Sequence, residues 1–557
     1  PIPGSTPPTN ARIADPHQRG FIGRRLLTLL LLAVLFAQLL SAATALSATV
    51  DEGFHITSGL EYLRTGDVRL FDEHPPLIKA LFAWPLLPVP DLTPPERAPG
   101  YTEGNLIAAA QATVLSYDPI DRLIVACRVP VALMTVLLAA LVSRWTDRRF
   151  GTPAGLVALA LFTFDPNVLA HGSLATTDAG AAALMVGAIM ALAAYVRRPS
   201  LKRGAAAAVL LGFAQSAKLT ALLLLPIGGI LILVGAWERP QGRRDRALLR
   251  AALAYAGIVL GAAVVLWTLY GFEIRPLTPG SIPLPAASHA ARWLRLRTNL
   301  AYGREAFLLG QNRMHGWWLY FPVAFLVKTP LPTLVLSLIG IPIFIRNLVR
   351  AVRWRRAAGA LALGLFPLLY SVASLTSTLN IGYRHLLPVL PFLYVGLGGL
   401  TAGRRREARR LRIVRRAAVI LLIVGQVASA LSVAPHYLAS FNPIAGGPEN
   451  GWRYLADSNT DWGQTFKALA EFQERHNLGT VKLSSFTFYN PARYGVEYAP
   501  IAPMTGAEAV LPRRFNPAPG LYAVSATTLD GVPLPYPATY SWFRHREPFA
   551  RIGYAMF

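Results

Sequence analysis

The sequence predicts a polytopic α-helical membrane protein with about 11 transmembrane helices. It adds amphipathic surface helices in the first external loop and a small external α/β domain at the C-terminus. Three observations carry that reading. The 557-residue chain is 53% hydrophobic and only 15% charged, whereas soluble domains carry about 25% charged residues. Long apolar runs recur along it, and a helix needs about 20 such residues to cross the hydrocarbon. The net charge of +25 falls in alternate loops, as in the cytoplasmic loops of membrane proteins. A nucleic-acid site would need one contiguous basic face, so that class is excluded.

Spans are expected at 26–49, 121–142, 153–171, 177–195, 204–218, 219–237, 247–271, 326–345, 357–375, 386–402 and 417–434. Basic clusters at Arg24–Arg25, Arg144–Arg149, Arg197–Arg203, Arg239–Arg250, Arg346–Arg356 and Arg404–Arg416 mark the cytoplasmic loops. The expected location is the plasma (inner) membrane, with the N-terminus in the cytoplasm. The first span is too long for a cleaved signal peptide. Residues 1–23 are expected as a disordered, proline-rich tail, 24–434 as the transmembrane domain and 435–557 as the extracytoplasmic α/β domain. The large external loops are 50–120 and 272–325. The one cysteine, Cys127, allows neither an intrachain disulfide nor a cysteine metal site.

In the first external loop, Ile56, Leu60 and Leu63 recur at helical spacing and Gly66 ends the pattern. A second short helix is expected over Leu77–Leu87, after Pro75–Pro76. In the tail, Asp461 and Gln464 have capping-box spacing ahead of Trp462, Phe466 and Leu469, so a helix is expected over 461–476. Val481–Phe488 and Leu521–Ala526 are β-rich. No internal repeat is visible.

Ionisable groups at membrane depth are costly and mark function. Asp51 and Glu52 follow the first span, where a carboxylate could take a proton from an attacking hydroxyl. Glu52 is the orienting or metal-binding partner; a solvated helix end is the plainer alternative. Glu73 and His74, ahead of Pro75–Pro76, could hold a divalent cation or a sugar hydroxyl, or simply start a helix. Asp178 opens the fourth span, as a cap, a substrate contact or a partner of Lys218. Lys218 sits alone in the apolar stretch Gly204–Val234 and reads as a phosphate contact, with snorkelling as the alternative. Arg384, in Asn380–His385, has a planar fork suited to phosphate. Lys328 is a further cation with a weaker claim, and His171 reads as a hydrogen-bonded interface residue. Carboxylates beside cations at headgroup level suit displacement of a phosphate from a sugar. No nucleotide-binding loop is present, so a preactivated lipid-linked donor fits.

At these residues the chain resembles the integral-membrane glycosyltransferases of the C-type fold, and within them the protein O-mannosyltransferase and lipid A aminoarabinose-transferase superfamily. The resemblance rests on Asp51-Glu52, His74-Pro75-Pro76-Leu77, Asp178, Lys218 and Tyr383-Arg384-His385-Leu386-Leu387-Pro388. The tail run Asp457-Ser458-Asn459-Thr460-Asp461-Trp462-Gly463-Gln464 is similar to one in many bacterial members. It implies inverting transfer from a polyprenyl-phosphate sugar to a hydroxyl on a protein, lipid or glycan. Asp51 would then be the catalytic carboxylate, Glu73 would match a metal- or donor-binding position, and Lys218 and Arg384 would contact the donor phosphate; Glu52 is expected at the substrate in a supporting role. His74 stands where relatives often have lysine, which removes a permanent cation. No cofactor is fixed by the resemblance; a divalent metal stays open, with Glu73 and His74 as its candidate ligands. A lipid or anion transporter or flippase is the alternative reading. It would need broken helices or repeats at the midplane, and the polar residues here gather at one face.

Overall fold

The computed structural model describes residues 16–71, 73–240, 244–354, 356–402, 408–501, 515–532 and 534–557. The expected tail up to residue 15, Asp72 and part of the last basic cluster lie outside the described residues. The chain enters as a helix already at Pro16, so α1 (Pro16–Ala45) takes in residues assigned to the expected tail. Proline suits a first helical turn because its missing N–H would have no partner there.

All eleven expected spans are helical among the described residues. After α1 come α2 (Val50–Thr65), α3 (Pro76–Ala83) and α4 (Leu106–Ala110), which fill the loop before α5 (Ile120–Phe150). α6 (Thr152–Thr163) and α7 (Pro166–Gly172) form one path bent by 64°. Pro166 cannot donate into the helix behind it, and Asp165 restarts the chain by accepting the N–H of Asn167 at 2.7 Å and of Val168 at 3.1 Å. α8 (Asp178–Arg197), α9 (Leu201–Gln215), α10 (Leu224–Trp237) and α11 (Arg244–Leu269) follow. Eight described helical stretches have the length and composition to cross a membrane, or nine if the bent pair is one span. The expected spans at 204–218 and 386–402 are α9 and a later helix of 11 residues, both short of a full crossing.

Between α11 and the next long helix lie a two-stranded hairpin, β1 (Ile274–Pro276) with β2 (Pro283–Pro285), then α12 (Ala287–Tyr302). A second hairpin, β3 (Ala306–Leu308) with β4 (Gln311–Arg313), and α13 (Tyr320–Lys328) complete the segment. α14 (Leu331–Arg353), α15 (Ala358–Leu375), α16 (Leu390–Leu400) and α17 (Arg409–Leu431) complete the helical bundle.

The tail carries α18 (Phe466–Arg475), three parallel strands in the order β6-β5-β7 and the short helices α19 (Ala526–Leu529) and α20 (Ser541–Arg544). β5 (Val481–Ser484) and β7 (Tyr522–Val524) fall in the two β-rich runs, with β6 (Tyr498–Pro500) on the other edge. The expected capping box at Asp461 does not form. Gln464 instead accepts the Trp462 N–H at 2.6 Å and donates to Thr460, and Asp461 accepts from Gly463 at 3.1 Å, so the helix starts at Phe466. The main apolar core runs from Leu35 of α1 through Trp462 and Phe466 to Val481 and Ala523 of the sheet without a break.

α2 is ended by Gly66, whose φ of 73° is the left-handed conformation that glycine adopts without strain. Its interior side is almost wholly buried, Glu61 included. Burial, with the Asp67 charge nearby, pushes the Glu61 carboxyl up to about 7. The protonated form is thus favoured in the folded state over the unfolded one, where the reference is 4.5. Stability from this group falls as pH rises from about 4.5 towards about 7. Glu61→Gln is expected to flatten that slope in thermal unfolding between pH 5 and 8; an unchanged slope would remove Glu61 as its source.

Candidate active site

The first turn of α2 sends its two acids in different directions. The Glu52 carboxylate turns inward and accepts the N–H of Thr49 at 2.8 Å, its hydroxyl at 3.0 Å and the N–H of Ala175 at 2.7 Å. Arg128, wholly buried in α5, grips the same carboxylate with Nε at 2.8 Å and Nη2 at 2.7 Å. The remaining Arg128 donors reach the carbonyls of Ala43, Leu46 and Ser47 at 2.7–2.8 Å. Burial alone would raise the Glu52 pKa, but Arg128 and the two backbone N–H groups hold it below the usual carboxylate range. Glu52 was expected at the substrate; it is instead the knot that ties α1, α2, α5 and the turn before α8 together.

Asp51 turns the other way and lines a cavity of about 220 Å³. Glu73, His74, Asp178, Lys218, Arg384 and His385 line it too. Five separate chain segments therefore bring six of the eight expected site residues to one place. Asp178, in the first turn of α8, is ion-paired with Lys218, so the isolated lysine of the sequence has its acid in space. Arg384 lies in a 3-10 turn, Tyr383–Leu386, between α15 and α16. Its Nη1 donates to Asp51 Oδ2 at 3.0 Å. Its guanidinium lies 4.2 Å over the Trp462 ring, a contact worth about 2 kcal/mol when shielded from water. Its Nε is buried and has no hydrogen-bond acceptor among the described residues. Burial, together with nearby cations and His55, drives the His74 pKa well below its usual value, so its ring stands neutral.

Lys328 does not line the cavity. It is buried and donates to the carbonyls of Leu438 at 2.8 Å and Asn459 at 2.6 Å, so it holds the tail rather than a substrate. His171 also departs from expectation. It packs edge-on against Trp462, and both its ring nitrogens lack hydrogen-bond partners among the described residues.

Residues 116–270 match the family model described as dolichyl-phosphate-mannose-protein mannosyltransferase. That segment runs from just before α5 to the end of α11 and holds Arg128, Asp178 and Lys218. Two crystal structures of ArnT from Cupriavidus metallidurans are similar to this chain. The apo form has 16% identity and a TM-score of 0.45, covering 97% of this chain and 98% of that one. The form bound to undecaprenyl phosphate has 17% identity and a TM-score of 0.43, covering 82% and 73%. None of the curated proteins matches the sequence.

The cavity also contains residues that were not singled out from sequence. Arg292, Arg295, Asn299, Tyr302 and Arg304 bring α12 and the turn after it to its wall. Arg384 is therefore one of several arginines here, and the basic spacing of 292–304 was the signal. Arg128 had a plainer one, a charge inside an apolar span. Trp462 and Asn459 had none beyond lying in the tail motif. Glu73 and His74 both face the cavity, and among the described residues no three His, Cys, Asp or Glu side chains are grouped to hold a metal ion. A larger cavity, about 770 Å³, lies within the tail and is lined by none of the expected site residues.

Proposed function

We propose that this protein is a membrane glycosyltransferase that moves a sugar from a polyprenyl-phosphate donor to a hydroxyl acceptor with inversion at the anomeric carbon. One observation carries the reading: a part-exposed carboxylate, Asp51, held 3.0 Å from an arginine whose Nε has no acceptor among the described residues, in a cavity edged by further arginines. The segment matching the mannosyltransferase family supplies two of the lining residues, Asp178 and Lys218.

In this reading Asp51 takes the proton from the acceptor hydroxyl as that oxygen attacks the anomeric carbon. The bond from that carbon to the phosphate oxygen breaks, and polyprenyl phosphate leaves with the electron pair. Charge developing on the phosphate is met by donors fixed in advance, namely Arg384 and Lys218 with Arg295 and Arg304 at the wall. Asp178 orients Lys218. Glu73 and the neutral His74 are placed to hold sugar hydroxyls. The cavity faces the extracytoplasmic side of the inner membrane, and residues 435–557 form the domain on that side, against which the acceptor is presented. A transporter would need ionisable groups free along the spans, and Arg128, buried inside α5, has all its donors occupied by the protein.

The test is transfer by the purified protein in liposomes. Radiolabelled undecaprenyl-phosphate mannose and undecaprenyl-phosphate aminoarabinose are offered separately, with bacterial membranes as acceptor. Label is expected in a protein, lipid or glycan product from one of the two; no transfer from either would overturn the reading. Lys218→Ala is expected to weaken binding of undecaprenyl phosphate about tenfold or more, the scale of a lost charged hydrogen bond. Unchanged affinity in a titration would take Lys218 out of the donor site.

A further inference from the structure

The tail motif 457–464 lies inside the protein, and every one of its residues is buried. It touches both sides of the Asp51–Arg384 pair. On the Asp51 side, the Trp462 carbonyl accepts the Val50 N–H at 2.9 Å, one residue before the acid. Ser47 donates its hydroxyl to the Gly463 carbonyl at 3.0 Å and its N–H to Gln464 at 3.2 Å. On the Arg384 side, Asn459 Oδ1 accepts the Tyr383 N–H at 2.8 Å, one residue before the arginine. Ser458 donates to the Ile381 carbonyl at 2.6 Å. A Cβ on Gly382 would collide with Ser458 Oγ, so only glycine allows the two strands of chain to lie this close. Lys328 fixes the motif from below through the Asn459 carbonyl.

One residue joins the two sides. The Trp462 backbone holds the turn that carries Asp51, and its ring carries the Arg384 guanidinium. We infer that Trp462 is the positioning residue of the active site, setting Arg384 against Asp51 and aiming its unpaired Nε at the donor phosphate. The C-terminal segment is then a part of the catalytic machinery and not an accessory to it. This inference rests on the transferase reading for its catalytic consequence, but its effect on phosphate binding does not require sugar transfer.

The contact can be graded while an aromatic face is kept, because attraction for a cation is strongest for Trp and weaker for Tyr and Phe. Trp462→Tyr and Trp462→Phe are expected to lower kcat for whichever radiolabelled undecaprenyl-phosphate sugar the wild type transfers, each by less than Trp462→Leu. Trp462→Leu should lower it by about 10- to 30-fold, the fold-change of a desolvated cation–π contact. Affinity for undecaprenyl phosphate alone, by titration in detergent, should follow the same order. In the Arg384→Gln background the order should vanish in both measurements, since there is no cation left to place. Equal losses in both backgrounds, or Tyr and Phe variants no weaker than wild type, would overturn the inference. If Trp462→Leu does not give a monodisperse protein, the Tyr and Phe variants decide. A wild-type protein that binds undecaprenyl phosphate in the expected order across variants but transfers no sugar would tell against the transferase reading while supporting the role of Trp462.

Discussion

Asp51→Asn is expected to lower sugar transfer by about 10²–10⁴-fold, the usual contribution of a positioned general base. The amide is nearly the same size as the carboxylate and can still accept from Arg384, so the pair keeps its shape while losing its proton acceptor. The side chain is 26% exposed, and the buried Arg384 charge keeps the Trp462 ring and the nearby Asp178 carboxylate. Thermal unfolding and elution of the purified variant should match wild type, and binding of undecaprenyl phosphate should be retained. Transfer at the wild-type rate would remove Asp51 from the reaction.

The neighbouring acid should behave in the opposite way. Arg128→Met is expected to destabilise the protein by about 3–5 kcal/mol, the cost of leaving one partner of a buried ion pair uncompensated. It would also strand the carbonyls of Ala43, Leu46 and Ser47, which Arg128 satisfies now. Glu52→Gln keeps an acceptor for Thr49 and Ala175 and should cost less. Both variants should show a lower unfolding temperature in detergent, with Arg128→Met the lower of the two, and any activity loss should track the loss of folded protein. Equal stability of Arg128→Met and wild type would refute the assignment of this pair as the structural knot.

That contrast marks where sequence reasoning reached its limit. The helices were legible because apolar length alone specifies them, and the order of Asp51, Asp178, Lys218 and Arg384 at span ends pointed to one face. Adjacent residues on a helix point about 100° apart, however, and nothing in the dipeptide Asp51-Glu52 says which faces the cavity. The phase is set by Arg128, more than 70 positions away. Lys328 was misplaced for the same reason: its partners are two backbone carbonyls in the tail, which leave no trace in residue identity. The missing capping box at Asp461 has a similar cause, since its side chain was drawn to Gly463 and Thr527 instead. The arginines of α12 were overlooked although their charge was visible.

The hydrogen bond from Ser47 to Gly463 joins positions 416 apart in the chain. At a synthesis rate of about 5–20 residues per second, the carbonyl is made roughly 20–80 s after the hydroxyl that it accepts. Throughout that interval the growing chain already contains Asp51, and later Lys218 and Arg384, without the segment that clamps them. The membrane helices can insert in order while the site stays open. The Asp51–Arg384 pair is clamped last, when the C-terminal segment docks, so a nascent or truncated chain in the membrane lacks the contacts that hold the two side chains together.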